Sequence, residues 1–439
     1  MRVLVAAYSE KTHLLPMVPL AWALRTAGHE VQVASQPALV DTITRAGLTA
    51  VPVGQDHHLW RSVRRFLTAR VAQASPETYD RVRGVRQAPF GAAGQDPETV
   101  TWDYLKSGYD NVVSFWYKLV NEPMLDDLVE YARAWRPDLI LWETATFAAP
   151  VAAELTGAVH ARVLCNLDMY AVARDHFVRL SAQRAPHERP DPLGDWLDTR
   201  LAGYGASFHE GLTSGHFTVE QHADSLRMEG SVHYVPMRYV PYNGPAVIPR
   251  WLWDPPPRPR VCLTLGSTST EGFDGYAVGV PEILEALSDL DIEVVATLPD
   301  HERDKLPRIP ANTRVVPFLA LHLLAPTCSA AIHHGAFGTA NTIALYGVPQ
   351  LSLPERHDAP LHAQRLIAQG AGLAIDYREA TGENVRAAVV RLLTEPSFRE
   401  RAAELRAEML ALPTPNQLVP RLEELVERYR PAQPVEATR

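Results

Sequence analysis

The sequence is poor in cysteine, in basic charge and in long apolar runs, and each shortage closes off a class of function. Three cysteines in 439 residues, Cys165, Cys262 and Cys328, are odd in number and far apart, which excludes a disulfide framework. Each lies in or beside an apolar run, so reduced core thiols in a cytoplasmic protein are expected. Lys and Arg together number 42 against 51 Asp and Glu, a formal charge of -9. A surface that tracks phosphates needs the opposite excess, so no nucleic-acid partner is expected. No run approaches membrane-spanning length. Met1-Arg2 leads into Val3 to Ala7, too short an apolar stretch for a signal-peptide core. What the chain does have is length and a globular composition, 46% hydrophobic and 21% charged. That length suits two to three domains of roughly 100 to 200 residues each.

Strand-like and helix-like segments alternate from the first residue. Val3 to Tyr8 reads as a strand, Leu14 to Ala27 as a helix closed by Gly28, Val31 to Ala34 as a strand, Pro37 to Ala46 as a helix ended by Gly47, and Ala50 to Val53 as a third strand. Leu139 to Trp142 and Ala161 to Cys165 flank a helical Phe147 to Leu155. Short buried strands alternating with helices imply a parallel, doubly wound α/β sheet. Between the halves of this sheet, Gln55 to Asn121 is polar and lacks clean periodicity. It holds Trp60, Phe66, Tyr79, Phe90, Trp102, Tyr104, Tyr109, Phe115 and Trp116. It reads either as a recognition insertion on loops or as a subdomain with its own small core. The charged stretch Ala171 to Asp191 suggests a loop or short helix over the same region.

The densest proline region, Tyr239 to Pro257, marks an extended linker. Alternation then restarts with strands Arg260 to Leu265, Ile292 to Thr297, Arg314 to Val316, Ala330 to Ile332 and Pro349 to Leu353. Helices follow from Pro281, His362, Val385, Phe398 and Gln417. The expected plan is an N-terminal Rossmann-like domain over 1–238, a linker over 239–258 and a second Rossmann-like domain over 259–415. Residues 416–439 supply a helix that returns to the first domain, plus a tail. Two such domains leave a cleft between the carboxyl ends of their sheets, where ligands are expected.

The most specific stretch is His333-His334-Gly335-Ala336-Phe337-Gly338-Thr339, where a strand hands over to a helix. A helix start offers unpaired N–H groups and the positive end of its dipole, and glycine admits a phosphate to the backbone. The same residues also suit a plain strand-to-helix turn with a capping histidine.

Taken with Gly266-Ser267, Pro317-Phe318-Leu319, His357-Asp358-Ala359-Pro360, Val18 to Arg25, Val33 to Pro37, Arg136 to Leu139 and Tyr242 to Pro245, this motif makes the chain resemble a GT-B glycosyltransferase. More narrowly, it resembles bacterial enzymes that attach dTDP-activated deoxysugars to macrolides, anthracyclines and related products. The resemblance spans nearly the whole chain. It implies a donor site in which His333 and the amides around Gly335, Ala336, Gly338 and Thr339 hold the pyrophosphate. Ser267 and Thr268 add hydroxyl donors, Phe318 and Leu319 hold the base, and Asp358 meets the sugar. No cofactor and no metal are then needed, because these donors stabilise the departing diphosphate. Asp289 and Asp291, an acidic pair, read as solvated surface. The family commonly has Gly-Gly after the second histidine, so Ala336 and the bulky Phe337 depart from pattern, and Phe337 must point away from phosphate. Ala359 stands where users of fully hydroxylated sugars carry Gln, which favours a deoxysugar. Asp358 also suits a simple helix cap.

His13 leaves the carboxyl end of the first strand and can take a proton near neutral pH. The matching position in the family is the general base for an inverting displacement. Glu143 matches the place of its carboxylate partner, though it also suits contact with a substrate, or a cap of the helix near Phe147. The aromatic insertion and Asn166 to Tyr170 are expected to wall a pocket for a hydrophobic, polyketide-type aglycone. The resemblance also admits a cytochrome-P450-like helper protein and a homodimer. Alternatives are a transferase using a common UDP-hexose, a sugar-nucleotide epimerase and a sugar-nucleotide binding module.

Overall fold

Two parallel sheets, one in each half of the chain, carry the architecture, and each is built from the buried apolar runs that the alternation predicts. The structure, a computed structural model, describes residues 1–66, 88–272 and 275–430. The first sheet comprises β1 (Arg2–Ala6), β2 (Glu30–Ser35), β3 (Thr49–Pro52), β4 (Leu139–Glu143), β5 (Val159–Val163), β6 (Phe217–Glu220) and β7 (Tyr234–Pro236), in the order β3-β2-β1-β4-β5-β6-β7. The second comprises β8 (Arg260–Thr264), β9 (Glu293–Thr297), β10 (Thr313–Val316), β11 (Ala330–His333), β12 (Gln350–Ser352) and β13 (Gly372–Ala374), in the order β10-β9-β8-β11-β12-β13. All pairings are parallel. Buried on both faces, these strands read as continuous apolar runs such as Val3-Leu4-Val5-Ala6.

Strand order reverses in each sheet between two neighbours, and loops diverge there to open a crevice. In the first sheet the reversal lies between β1 and β4, with Ala6 opposite Trp142. In the second it lies between β8 and β11, with Thr264 opposite His333. The residues after these four strands are therefore the ones the topology brings to the cleft.

The return of the chain to its first half is a packing event. Helix Pro415–Tyr429 opens with a capping box between Thr414 and Gln417. It lays Leu418, Val419, Leu422, Leu425 and Val426 into one cluster with Val3, Val5, Leu20 and Leu24. In the linker, Arg260 and Arg314 sit over the Trp251 ring at 5.4 and 4.6 Å, tying a short turn at Arg250–Leu252 to the second sheet.

The structure adds to the sequence expectation in several places. Strands β6, β7 and β13 were not visible as apolar runs. Of the loop or short helix expected over Ala171 to Asp191, a helix forms, Met169–Ala182, capped by Asp168. The stretch Gln55 to Asn121 is not loop-like where described: it contains helices Leu59–Phe66 and Trp102–Val112, a π-helical turn at Val113–Tyr117, and the start of helix Lys118–Trp135. Phe90, Tyr109 and Trp116 are buried in the core on that side, with Trp102 and Tyr104 packed against it, whereas Phe115 is exposed. Tyr79 and the Phe66 side chain lie outside the described residues. No helix among the described residues is long and apolar enough to cross a membrane.

Candidate active site

His13 sits on the one-turn helix Lys11–Leu14 that follows β1, and Glu143 ends β4 next door. The switch point thus brings together two residues 130 positions apart: His13 Nδ1 lies 2.7 Å from Glu143 Oε2. Glu143 is fully buried and held in place, its Oε2 accepting from the Ala145 N–H at 2.9 Å and its Oε1 from the Thr146 hydroxyl. Thr146 in turn accepts from the Tyr8 N–H at 2.7 Å, locking the two strand ends together. In the neutral ring, with Nδ1–H donating to the carboxylate, Nε2 carries the lone pair, and the Tyr8 hydroxyl lies 3.2 Å from it. Burial pushes the Tyr8 hydroxyl well above its ordinary pKa, so it stays a protonated hydroxyl that can donate to the neutral ring or accept from the charged one. For His13, burial alone would lower the pKa. The Cys165 sulfur, 3.7 Å from Nδ1, and the Glu143 carboxylate outweigh it, and the imidazole is held well above 6.5. The dyad is the arrangement of a general base with an orienting carboxylate. The sequence reading takes Tyr8 only as the end of a strand and Cys165 only as a core thiol, and it does not select Thr146. Tyr8 was hidden in an apolar run, and only the fold joins the other two to His13.

Across the cleft, Gly335 adopts φ +84, a left-handed conformation, and an added Cβ would lie 2.9 Å from both Ser352 Oγ and the Ala359 Cβ. Helix Phe337–Leu345 begins immediately after, with Ala336 as an N-cap that makes no side-chain bond. Its first amides are free to meet an anion. Phe337 turns inward, 4.9 Å from the His222 ring and 5.3 Å from Tyr239. The two histidines divide. His333 is fully buried in β11, with Nδ1 accepting from the Gly335 N–H at 3.0 Å, so it fixes the loop. His334 is half-buried and packs on Gly266, where any Cβ would meet its ring at 2.6 Å. The ring beside the Gly266-Ser267 loop is therefore His334, which the sequence reading did not select. Burial pushes His333 down to about 4 and, with the neighbouring His333 and Arg356, His334 to about 3, so both are neutral hydrogen-bonding rings. Ser267 is exposed in the loop after β8, and Thr268, half-buried, opens the short helix Thr268–Gly272 that follows. Phe318 is 63% exposed and Leu319 is buried beside it. Thr339 and Gly338 lie half-buried in the first turn of the helix.

Asp358 does not cap the helix it precedes: no side-chain cap bond forms. Its carboxylate instead crosses the cleft and accepts from the Leu167 N–H at 2.9 Å. Burial raises its pKa, and the Leu167 N–H moderates the rise. His357, at φ +53, presents its ring 6.1 Å from Trp116 of the first half. Lys11 meets Glu271 at 2.7 Å, and Trp60 donates to Glu10 at 2.8 Å while lying against Gly272. Asp289 pairs with Arg386, and Asp291 is exposed near Arg258, so neither belongs to the cleft.

The sequence matches two parts of one family, described as erythromycin biosynthesis protein CIII-like: the N-terminal domain over residues 22–266 and the C-terminal domain over residues 281–425. The chain belongs to this family. It is 45% identical over 436 residues, 98% of each chain, to the 10-deoxymethynolide desosaminyltransferase of Streptomyces venezuelae. To the aclacinomycin-T 2-deoxy-L-fucose transferase of Streptomyces galilaeus it is 43% identical over 433 residues, 98% of this chain and 97% of that one. Among solved structures, the glycosyltransferase VinC in complex with dTDP matches at a TM-score of 0.85 and 38% identity, over 98% of this chain and 100% of that one. This CIII-like chain is thus a glycosyltransferase with the GT-B fold, as its sequence resemblance implied.

Proposed function

We propose that this chain transfers a deoxysugar from a dTDP-activated donor to a hydroxyl of a polyketide-type aglycone, with inversion and without a metal or other cofactor. The observation that carries the proposal is the placement of the His13–Glu143 dyad at one switch point and the Gly335 to Thr339 helix start at the other, with Asp358 between them. Residues 1–238 then form the acceptor domain, 239–258 the linker, 259–415 the donor domain, and 416–439 the returning helix and tail.

In this reading the acceptor hydroxyl replaces the Tyr8 hydroxyl at His13 Nε2. As its oxygen attacks the anomeric carbon, its proton passes to Nε2, and Glu143 stabilises the resulting imidazolium. Attack comes from the face opposite the diphosphate, so configuration inverts. On the other side, the amides of Gly338 and Thr339, the His334 ring and the Ser267 and Thr268 hydroxyls stabilise the charge on the leaving diphosphate. Gly335 and Ala336 permit the close approach, and His333 holds Gly335 in position. Phe318, exposed beside Leu319, offers a surface for the base. Asp358, released from the Leu167 N–H, takes a sugar hydroxyl.

A matrix of dTDP-sugars and aglycones, read by mass spectrometry, tests the reaction, and the anomeric configuration of the product tests inversion. Turnover that survives exhaustive chelation supports metal independence, and turnover restored by an added divalent ion refutes it. A cytochrome-P450-like helper and a homodimer are partners to test in the same assay: full activity of purified monomer removes both.

A further inference from the structure

His13, Glu143 and Cys165 bring a ring nitrogen, a carboxylate oxygen and a thiol sulfur within 4.8 Å of one another, and in the proposed reaction Cys165 acts on the His13 pKa but forms and breaks no bond. Nδ1 stands 2.7 Å from Oε2 and 3.7 Å from Sγ. Around a tetrahedral zinc ion, with bonds of about 2.0–2.3 Å, ligand atoms stand roughly 3.3–3.7 Å apart. The nitrogen–sulfur pair already has that spacing. The nitrogen–oxygen pair must open by about half an ångström, the difference between a hydrogen bond and shared coordination. The carboxylate is a fixed anchor, held by Ala145 and Thr146, and the His13 side chain is 16% exposed, whereas the thiol and the carboxylate are buried.

We propose that these three residues form an inhibitory site for a soft divalent cation such as zinc, which competes with the proton for the base. Its effect on turnover rests on His13 being that base; its occupancy rests on the three ligands alone. Starting from the neutral ring, Cys165 gives up its thiol proton to solvent and the Nδ1 proton of His13 moves to Nε2. The ion takes the thiolate, the Nδ1 lone pair and the carboxylate oxygen, one proton is released, and no oxidation state changes. With Nε2 protonated, no lone pair remains to accept the acceptor's proton. The cation arrests the chemistry where it does not assist it, which makes the site compatible with a metal-independent reaction.

Cobalt(II) added to the substrate-free enzyme is expected to bind once per chain and give a near-ultraviolet sulfur-to-cobalt band that zinc displaces. Cys165→Ser should abolish the band, whereas Cys328→Ser, at the half-buried thiol of the other domain, should leave it. Zinc should suppress turnover and a chelator restore it, with the half-inhibitory concentration raised at least ten-fold in Cys165→Ser. Protection from alkylation gives the same answer without a variant: zinc should slow iodoacetamide labelling of Cys165, read peptide by peptide, but not of Cys328. No band, or a band that survives Cys165→Ser, overturns the site. A Cys165-dependent band without inhibition keeps the ion but overturns both its inhibitory role and the reading of His13 as base.

Discussion

A histidine becomes a useful base only when its tautomer is fixed, and in this chain Glu143 fixes it from a fully buried position. His13→Ala should lower kcat by about 10²- to 10⁴-fold, the usual worth of a positioned base, while dTDP affinity measured by calorimetry stays near that of the parent. The pH profile carries a sign. The base must be neutral to act, and its pKa is held well above 6.5, so the acidic limb of kcat/KM should rise through an inflection on the alkaline side of that value. Glu143→Gln preserves an acceptor for Nδ1–H but removes the charge that stabilises imidazolium, so the inflection should move to lower pH and kcat should fall. An unmoved inflection would show that the dyad does not set the base. The histidine pair on the opposite wall separates in the same way. His334→Ala should weaken dTDP binding by roughly 10-fold or more, the worth of a hydrogen bond to a charged group. His333→Ala should act mainly through stability, because it strips the buried Gly335 N–H of its partner. Equal loss of dTDP affinity in both variants, with unchanged melting, would sink this division.

At the scale of elements, what was legible in the sequence follows from how each element earns its burial. Central strands such as β1, β4, β8 and β11 are covered on both faces and show as apolar runs, so a cleft at the carboxyl ends of two sheets is legible, whereas the strand order that sets the switch points comes from the fold. β7 and β13 are three residues each, and β6 ends in the buried Glu220, so none offers a run to detect. The helices of the aromatic stretch hid for another reason. The π-turn at Val113–Tyr117 adds a residue to the turn and shifts the apolar stripe, and Pro123 then interrupts the next helix, so no single 3.6-residue period runs through. Helix Met169–Ala182 reads as either a loop or a short helix because its charges mask the pattern: Arg174 is buried in it, balanced by ion pairs to Asp191 and Glu210. The donor turn was the most legible element, since its glycine is dictated by conformation. Gly335→Ala forces a Cβ into φ +84 and against Ser352 and Ala359, and should cost about 1–3 kcal/mol with a matching loss of dTDP affinity. Thermal melting and calorimetry together read it; parent-like values in both would show that the turn tolerates a side chain.

At the scale of the whole molecule, the two halves meet through polar bonds and an apolar cluster: Ser225 donates twice to Glu408, Arg365 donates to the Arg227 carbonyl, and Ala223 and Leu226 pack with Phe337, Ala344 and Leu366. Lys11–Glu271 is a partly exposed ion pair, and such pairs contribute about 0–1 kcal/mol. The Leu167 N–H to Asp358 bond must be exchanged for a sugar hydroxyl in the proposed reaction. Two further ties complete the frame: the linker on one side, and on the other the chain's return through helix Pro415–Tyr429. Leu422 is fully buried there among residues of the first sheet. Leu422→Ala should therefore cost about 2–5 kcal/mol, the range for removing a packed leucine side chain. The residue belongs to the C-terminal end of the sequence but to the core of the N-terminal half, and the donor turn lies in the other half. The expected signature is a lower melting temperature with dTDP affinity retained at temperatures where the chain is still folded. Loss of dTDP affinity without a change in melting would mean that the helix acts on the donor site rather than on the frame that carries it.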